Sequence, residues 1–196
     1  MNLKKGILIN IRINNTDVNH QDHIKFQLNL DTNKLVLEAK CLMKKLNFQK
    51  AYEILNLSIS QGIFHSDVFY LYGEVCRVVK RPEESEKYLL GSLKFEQHSP
   101  YVFYSLGLLY EEIEEYKYSV CFLKLFLKEL ESAEAYFRLA SNYIKLGKDL
   151  KAAINLTKAL NLDKKKEYYL LRGQVYERMG YKELAFEDRE LMKILK

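Results

Sequence analysis

Two histidines, His20 and His23, flank Asp22 near the start of the chain. Imidazole and carboxylate groups can bind a metal ion, but a metal site needs further ligands, and none stands nearby in the sequence. His65 and His98 have no cysteine or aspartate at a spacing typical of a nucleophile and its base. The sequence also has no glycine-rich phosphate loop, HExxH helix or paired-cysteine zinc motif. We therefore predict that the protein is not an enzyme and that it uses no cofactor or metal.

Carboxylates stand side by side at Glu111-Glu112 and at Glu114-Glu115, where a helix is predicted to end. Such pairs can act as acid and base, but at a helix end we predict that they face solvent. The chain has 31 basic and 26 acidic residues, and its net charge is +5. Because both signs are spread along the whole chain, the many lysines favour a solvated exterior over a nucleic-acid-binding stripe.

The three cysteines, Cys41, Cys76 and Cys121, are odd in number and far apart. This pattern does not indicate a disulfide framework, and it fits a reducing compartment. The apolar run that follows Lys4 and Lys5 is interrupted by polar residues, unlike that of a secretory signal. We therefore predict a cytoplasmic protein.

Small residues recur along most of the chain with a fixed period. One set is spaced 34, 34, 33 and 33 residues apart, and a second set follows it by twelve residues. The first set is Ala39, Gly73, Gly107, Ala140 and Gly173, and the second is Ala51, Ser85, Ser119, Ala152 and Ala185. Two helices approach closely only where no bulky side chain stands between them, so the period predicts a stack of helical hairpins.

Large residues flank the first set of small residues at spacings that place them on one helical face. The order of a large, a small, an aromatic and a second small residue, about every 34 residues, resembles the tetratricopeptide repeat. The stretch from Tyr136 to Tyr143, followed by Gly147 and Ala152, shows the resemblance most clearly. The chain departs from the family pattern in having no tryptophan and in lacking the turn glycine in its first three repeats.

The resemblance implies an all-α, right-handed solenoid of about five helix-turn-helix repeats over residues 32–196. The predicted repeats are 32–65, 66–99, 100–132, 133–165 and 166–196. Their predicted helices are 33–46 with 48–61, 66–79 with 82–96, 100–113 with 116–130, 133–146 with 149–162, and 166–179 with 182–195. No apolar run is long enough to cross a membrane.

The first 31 residues do not follow the repeat. Apolar residues alternate with mostly polar ones over 7–13 and again over 24–30, and a polar stretch separates the two runs. Alternation with a period of two predicts two strands, so we predict an N-terminal extension that forms a β-hairpin. A flexible arm and an extra helix are the alternatives.

The family resemblance implies that the first helices of successive repeats line a concave groove that receives a peptide or a helix. The residue after each large core position should border this groove. These residues are Val36, Tyr70, Tyr104, Phe137 and Leu170. The same face should carry Lys40, Arg77, Leu108, Arg138 and Gln174. Aromatic rings offer a large contact area with few rotors, but the same rings could instead pack between neighbouring repeats.

These features predict a non-catalytic scaffold or adaptor that binds a protein or peptide of mixed apolar and charged character. One alternative is binding of RNA or another polyanion through the lysines. A second is a secretion-type chaperone, although such proteins generally have fewer repeats and an acidic balance. The carboxylate clamp that holds chaperone tails is not predicted, because Tyr70, Glu74 and Ser105 stand where it needs basic and amide side chains.

The last repeat departs from the others in its second helix. Leucines at one position of the earlier repeats, Leu55, Leu89, Leu123 and Leu156, give way to Arg189. With Asp188 and Glu190, this arginine predicts a polar outer face that caps the solenoid. Apolar residues remain near the end of the chain, so the C-terminal helix or the N-terminal strands are predicted as the sites of any homodimer.

Overall fold

The computed structural model describes residues 32–195, and the predicted N-terminal β-hairpin lies outside them. The described residues form ten helices and no strand. The helices are α1 (32–44), α2 (Phe48–Ser60), α3 (Ser66–Val78), α4 (Pro82–Ser92), α5 (Tyr101–Glu112), α6 (Tyr116–Glu129), α7 (Ala133–Lys145), α8 (Asp149–Leu162), α9 (Lys166–Arg178) and α10 (Lys182–Ile194). None of them is long and apolar enough to cross a membrane.

Each of α3, α5, α7 and α9 packs against the helix that follows it, and α1 and α2 share one apolar core that includes Ala39 and Ala51. Each of these hairpins then packs against the next one along the chain. We number the five hairpins from first (α1–α2) to fifth (α9–α10). This stacking confirms the predicted all-α solenoid. The division into an extension (1–31) and a solenoid (32–196) stays a prediction. The helices begin and end within two residues of the predicted bounds, except that α4 ends at Ser92 instead of residue 96.

All ten small residues of the repeat are buried. A Cβ atom built on Gly73 would lie 2.7 Å from Leu89 Cγ, and one built on Gly107 would lie 2.8 Å from Leu123 Cγ. Real Cβ atoms do not approach other carbon atoms so closely, so these two hairpins require glycine for their helices to touch. The period of small residues therefore has the steric origin that the sequence predicts.

The turn inside every hairpin adopts the same left-handed backbone conformation. Its φ is +67° at Gly147 and +82° at Gly180, and it is also positive at the equivalent residues Leu46, Lys80 and Glu114. In each hairpin the next amide donates a hydrogen bond to a carbonyl five residues earlier, as in Lys148 N–H to Tyr143 O at 2.8 Å. This arrangement satisfies carbonyls that the helix end leaves free.

Candidate functional site

The exposed surface of α1, α3, α5, α7 and α9, here called the first-helix face, corresponds to the predicted groove. Along it, Val36 is buried with 7% of its surface exposed, Tyr70, Tyr104 and Phe137 are half-buried, and Leu170 is 49% exposed. Exposure of this row of apolar and aromatic side chains therefore rises from the first hairpin to the fifth.

The three rings also pack between hairpins. Tyr104 lies 5.2 Å from the Phe126 ring of its own hairpin, measured between centroids, and it also packs against a core that includes Leu139 of the next hairpin. The Phe137 ring lies 4.8 Å from Tyr168 of the next hairpin. Tyr70 packs against the apolar cores on both sides of it. Each ring thus contributes to the core with one part of its surface and leaves another part exposed.

The hydroxyl groups of the two tyrosines in this row, Tyr70 and Tyr104, lie among charged side chains. Burial raises the pKa of Tyr70 to about 12, with a smaller contribution from Glu74 in the same direction. Burial likewise raises the pKa of Tyr104, and Arg138 opposes this shift. Both phenols are therefore neutral at physiological pH and can donate a hydrogen bond.

The two predicted groove arginines form ion pairs between neighbouring first helices. Arg77 of α3 pairs with Glu74 at 3.0 Å and with Glu112 of α5. Arg138 of α7 pairs with Glu111 of α5 at 3.1 Å, and with Glu134 of its own helix. Each guanidinium is thus held between carboxylates, one on its own helix and one on α5.

Glu112 is exposed, as predicted, and Glu111 is half-buried, but both carboxylates also have partners in neighbouring hairpins. Glu112 also accepts a hydrogen bond from Lys80, and Glu111 accepts one from Asn142 Nδ2 at 3.0 Å. The two carboxylates tie α5 to α3 on one side and to α7 on the other. This role could not be predicted from the sequence, because the partners lie about thirty residues away along the chain.

The remaining predicted groove residues differ in exposure. Lys40 and Gln174 are exposed at opposite ends of the first-helix face, and Leu108 is half-buried at its centre. Of the predicted groove residues, Lys40, Leu170 and Gln174 are therefore the exposed ones.

Sequence reasoning missed an ion pair inside the fifth hairpin. Arg172 Nε and Nη2 donate to Asp188 at 2.9 and 2.6 Å, and only 15% and 2% of these two side chains are exposed. The guanidinium also donates to Thr157 Oγ1 at 2.9 Å and lies over the rings of Tyr169 and Tyr176. Asp188 is therefore a core residue, and its predicted place on the polar outer face is wrong.

The outer side of the fifth hairpin is partly polar and partly apolar. Arg189 is exposed and pairs with Glu177, as a capping residue should. Met192 and Leu195 pack back against a core that includes Tyr168. Phe186, on the side of α10 where another hairpin would stack, remains 59% exposed.

Two of the residues that could do chemistry, Cys76 and His65, have structural roles. Burial raises the pKa of Cys76 to about 12, and Glu84 beside it adds to the shift, so this thiol stays protonated. His65 Nδ1 accepts the amide of Asp67 at 3.2 Å and so caps the start of α3. Within residues 32–195, no three side chains of the metal-binding types lie together. His20, Asp22 and His23 lie outside the described residues.

The stacked hairpins, with small residues at their contacts and aromatic residues along the first helices, define an α-solenoid repeat protein. The sequence model of the tetratricopeptide repeat matches residues 133–166, which cover α7 and α8. This match identifies one tetratricopeptide repeat in the chain, and solved structures of low sequence identity share its fold.

Three solved structures illustrate the likeness. MamA AMB-1 is 21% identical, with a TM-score of 0.75 over 87% of this chain and 92% of that one. PilF of Pseudomonas aeruginosa is 13% identical, with a TM-score of 0.73 over 85% and 77% of the two chains. YrrB, described as a TPR protein with an unusual peptide-binding site, is 18% identical, with a TM-score of 0.70 over 85% and 90%. Among curated proteins, none matches the chain in sequence.

Proposed function

We propose that this protein is a non-catalytic scaffold that binds a peptide or helix of a partner protein along the first-helix face. The observation that carries the proposal is the row of Tyr70, Tyr104, Phe137 and Leu170, whose three rings are half-buried and whose leucine is 49% exposed. Rings that the core holds in place lose little conformational freedom when a partner covers them, and Leu170 extends the apolar row beyond them. The peptide-binding site named for YrrB, a protein of the same fold, agrees with this proposal.

The charges beside the row indicate what kind of segment fits. Arg77 and Arg138 already hold carboxylates of the chain, so an acidic ligand would have to displace Glu112 or Glu111. Lys40 and Gln174 remain exposed at the two ends. We therefore propose a segment with apolar side chains at its centre and only isolated charges, and no chaperone tail held by its terminal carboxylate.

The test replaces Leu170 by Glu, because this side chain is half exposed and a charge there would be desolvated by a bound segment. Leu57→Glu is the matched control, since Leu57 is 57% exposed on a second helix, away from the first-helix face. Proteins captured from the native host by the unchanged chain should be lost with Leu170→Glu and kept with Leu57→Glu. Identical sets from all three chains would contradict the proposal.

Binding of RNA or another polyanion is the alternative, and the arginines of the described region do not favour it. Each of the six, Arg77, Arg81, Arg138, Arg172, Arg178 and Arg189, is paired with a carboxylate of the chain. A polyanion would depend on the lysines, and its binding would weaken steeply as salt is raised. Partner binding that changes little between low and moderate salt would support the first-helix face.

We further propose a cytoplasmic location, which the three free cysteines fit, and homodimerisation through the exposed side of α10 as a secondary possibility. Phe186→Lys should abolish any dimer that forms through this side, and sedimentation at micromolar concentrations measures it. A dimer that persists in this variant would exclude α10 as its interface.

A further inference from the structure

A hollow of about 300 Å³ lies on the second hairpin, outside the first-helix face. Its aromatic walls are Phe64, Phe69, Tyr88 and Phe95, and Gly91 contributes bare backbone. The Phe69 ring lies at the centre of the group, with centroid distances of 6.0 Å to Phe64, 5.4 Å to Tyr88 and 5.5 Å to Phe95. The hollow is therefore an aromatic cup that opens to solvent.

The hollow exists because Gly91 takes the place of a large residue. At the equivalent position the other four hairpins carry Leu57, Leu125, Lys158 and Leu191. A Cβ atom built on Gly91 would lie 2.8 Å from Phe69 Cδ1, so even alanine would collide with this ring. Any larger side chain would occupy the space above it.

The fourth hairpin shows what happens when the position is filled. There Lys158 replaces Gly91, and its ammonium lies 5.3 Å from the centroid of Tyr136, the counterpart of Phe69. The remaining space is about 190 Å³, and its walls include Glu131 and Asn161 in place of Phe64 and Lys94. The second hairpin is thus the one in which the ring is left open and its surroundings are aromatic.

Two lysines stand at the mouth of the hollow. Lys87 and Lys94 are exposed lining residues, and the Lys87 ammonium lies 5.2 Å from the centroid of Tyr88. Among the residues that the structure describes, neither lysine forms an ion pair. An apolar cup with two unpaired ammonium groups at its mouth is complementary to a large apolar side chain flanked by carboxylates.

We propose that this hollow binds one aromatic side chain of a partner protein segment in which acidic residues flank the aromatic one. The ring stacks within the aromatic walls, and the acidic neighbours pair with Lys87 and Lys94. The site differs from the first-helix face in position and in the charge that it selects, and it does not depend on the function proposed for that face.

The experiment uses a short fluorescein-labelled peptide in which a phenylalanine is flanked on both sides by aspartates, and the full chain. Lys87→Glu with Lys94→Glu should weaken binding about tenfold or more, because both rim charges are reversed. Lys124→Glu with Lys128→Glu makes the same charge change at exposed positions of the third hairpin and should leave binding within about twofold. Gly91→Leu, the residue of three other hairpins, should abolish binding by filling the hollow, and Leu170→Glu should not affect it.

Several outcomes would overturn the proposal. Equal binding of a peptide with alanine in place of the phenylalanine would show charge attraction without use of the hollow. Equal weakening by both lysine pairs would show that net charge alone matters. Nuclear Overhauser contacts in the free protein between the Phe69 ring and a distant part of the same chain would show that the chain covers the hollow itself. Since the lysine variants do not alter the core, the test holds even if Gly91→Leu fails to fold.

Discussion

The second and fifth hairpins join their two helices with different chemistry at the same places. In the second hairpin, Tyr72 lies one residue before Gly73, and Tyr88 lies sixteen residues after Tyr72. Their rings pack edge to face with centroids 4.5 Å apart. The same two positions in the fifth hairpin hold the Arg172–Asp188 ion pair. One repeat pattern thus accepts an apolar or an ionic contact, provided that both partners change together.

The two hairpins also differ in how closely their helices approach. Gly73 leaves no room for a Cβ atom beside Leu89, whereas a Cβ atom on Gly173 would lie 3.5 Å from its nearest neighbour, Asp188 Cβ. The leucine that presses on the glycine in the second hairpin is replaced by the exposed Arg189 in the fifth. The terminal hairpin therefore gives up apolar contact area and relies on a buried ion pair in its place.

Removing one partner of the ion pair should have the largest effect. Asp188→Ala leaves the Arg172 guanidinium buried without its carboxylate, which should cost about 3 kcal/mol of unfolding free energy. Urea unfolding measures the loss, and hydrogen exchange should locate it in α9 and α10, because terminal repeats can unfold separately. Tyrosine at both positions recreates the contact of the second hairpin and should restore stability to within about 1 kcal/mol. Unchanged exchange in α9 and α10 of Asp188→Ala would show that the pair is not needed.

Alanine at the two glycines should have opposite effects. Gly73→Ala forces a Cβ atom against Leu89 and should destabilise the protein by about 2 kcal/mol. Gly173→Ala has ordinary van der Waals space and higher helix propensity, so it should stabilise by up to about 1 kcal/mol. Midpoints of urea unfolding for the two variants give the comparison. Equal destabilisation by both substitutions would mean that the two hairpins are packed alike.

The second and fifth hairpins also differ at the small residue of their second helix, which is Ser85 in one and Ala185 in the other. Ser85 is fully buried and its hydroxyl has no hydrogen-bond partner among the described residues, whereas the fifth hairpin has Ala185 there. Ser85→Ala should therefore stabilise the protein by about 1 kcal/mol. Ser119→Ala is the control, because Ser119 Oγ donates to Gly107 O at 2.7 Å and its loss should destabilise by a similar amount. Thermal unfolding shows the sign of each change, and a destabilised Ser85→Ala would contradict the expectation.

The smallest effect is expected at the turn. Lys80 holds a φ of +62° that glycine adopts more easily, so Lys80→Gly should stabilise by about 0.5 kcal/mol. The ion pair lost with it is worth little, because 77% of the lysine side chain is exposed. Gly180→Ala, at the same place in the fifth hairpin, should destabilise by about 1 kcal/mol. Both are measured by urea unfolding, and a destabilised Lys80→Gly would show that the lysine contributes more than its geometry indicates.

The fold could be predicted from the sequence because its steric requirement recurs. Small residues are needed wherever two helices touch, and the repetition makes them visible without any knowledge of contacts. The turns of the first three hairpins were harder to interpret, since Leu46, Lys80 and Glu114 give no hint of a left-handed backbone. In these hairpins the surrounding helices impose the conformation that glycine adopts freely elsewhere.

The candidate site could be predicted only in part. The row of rings can be predicted from helical spacing. How much of each ring is packed and how much is exposed depends on neighbouring repeats, which the pattern of a single repeat does not reveal. Charged residues were the least predictable. Asp188 and Glu111 are of residue types that usually lie at the surface. Their partners lie in other helices, so only the structure places them in ion pairs.

Glu111 and Glu112 are consecutive in the chain but bind to opposite neighbours, one toward α7 and the other toward α3. On the first-helix face, the third hairpin is therefore held to both of its neighbours by ion pairs. Dissolved salt weakens such ion pairs and leaves apolar contacts almost unchanged. We therefore expect the packing of α5 against α3 and α7, and with it the shape offered to a partner, to loosen slightly as the ionic strength rises.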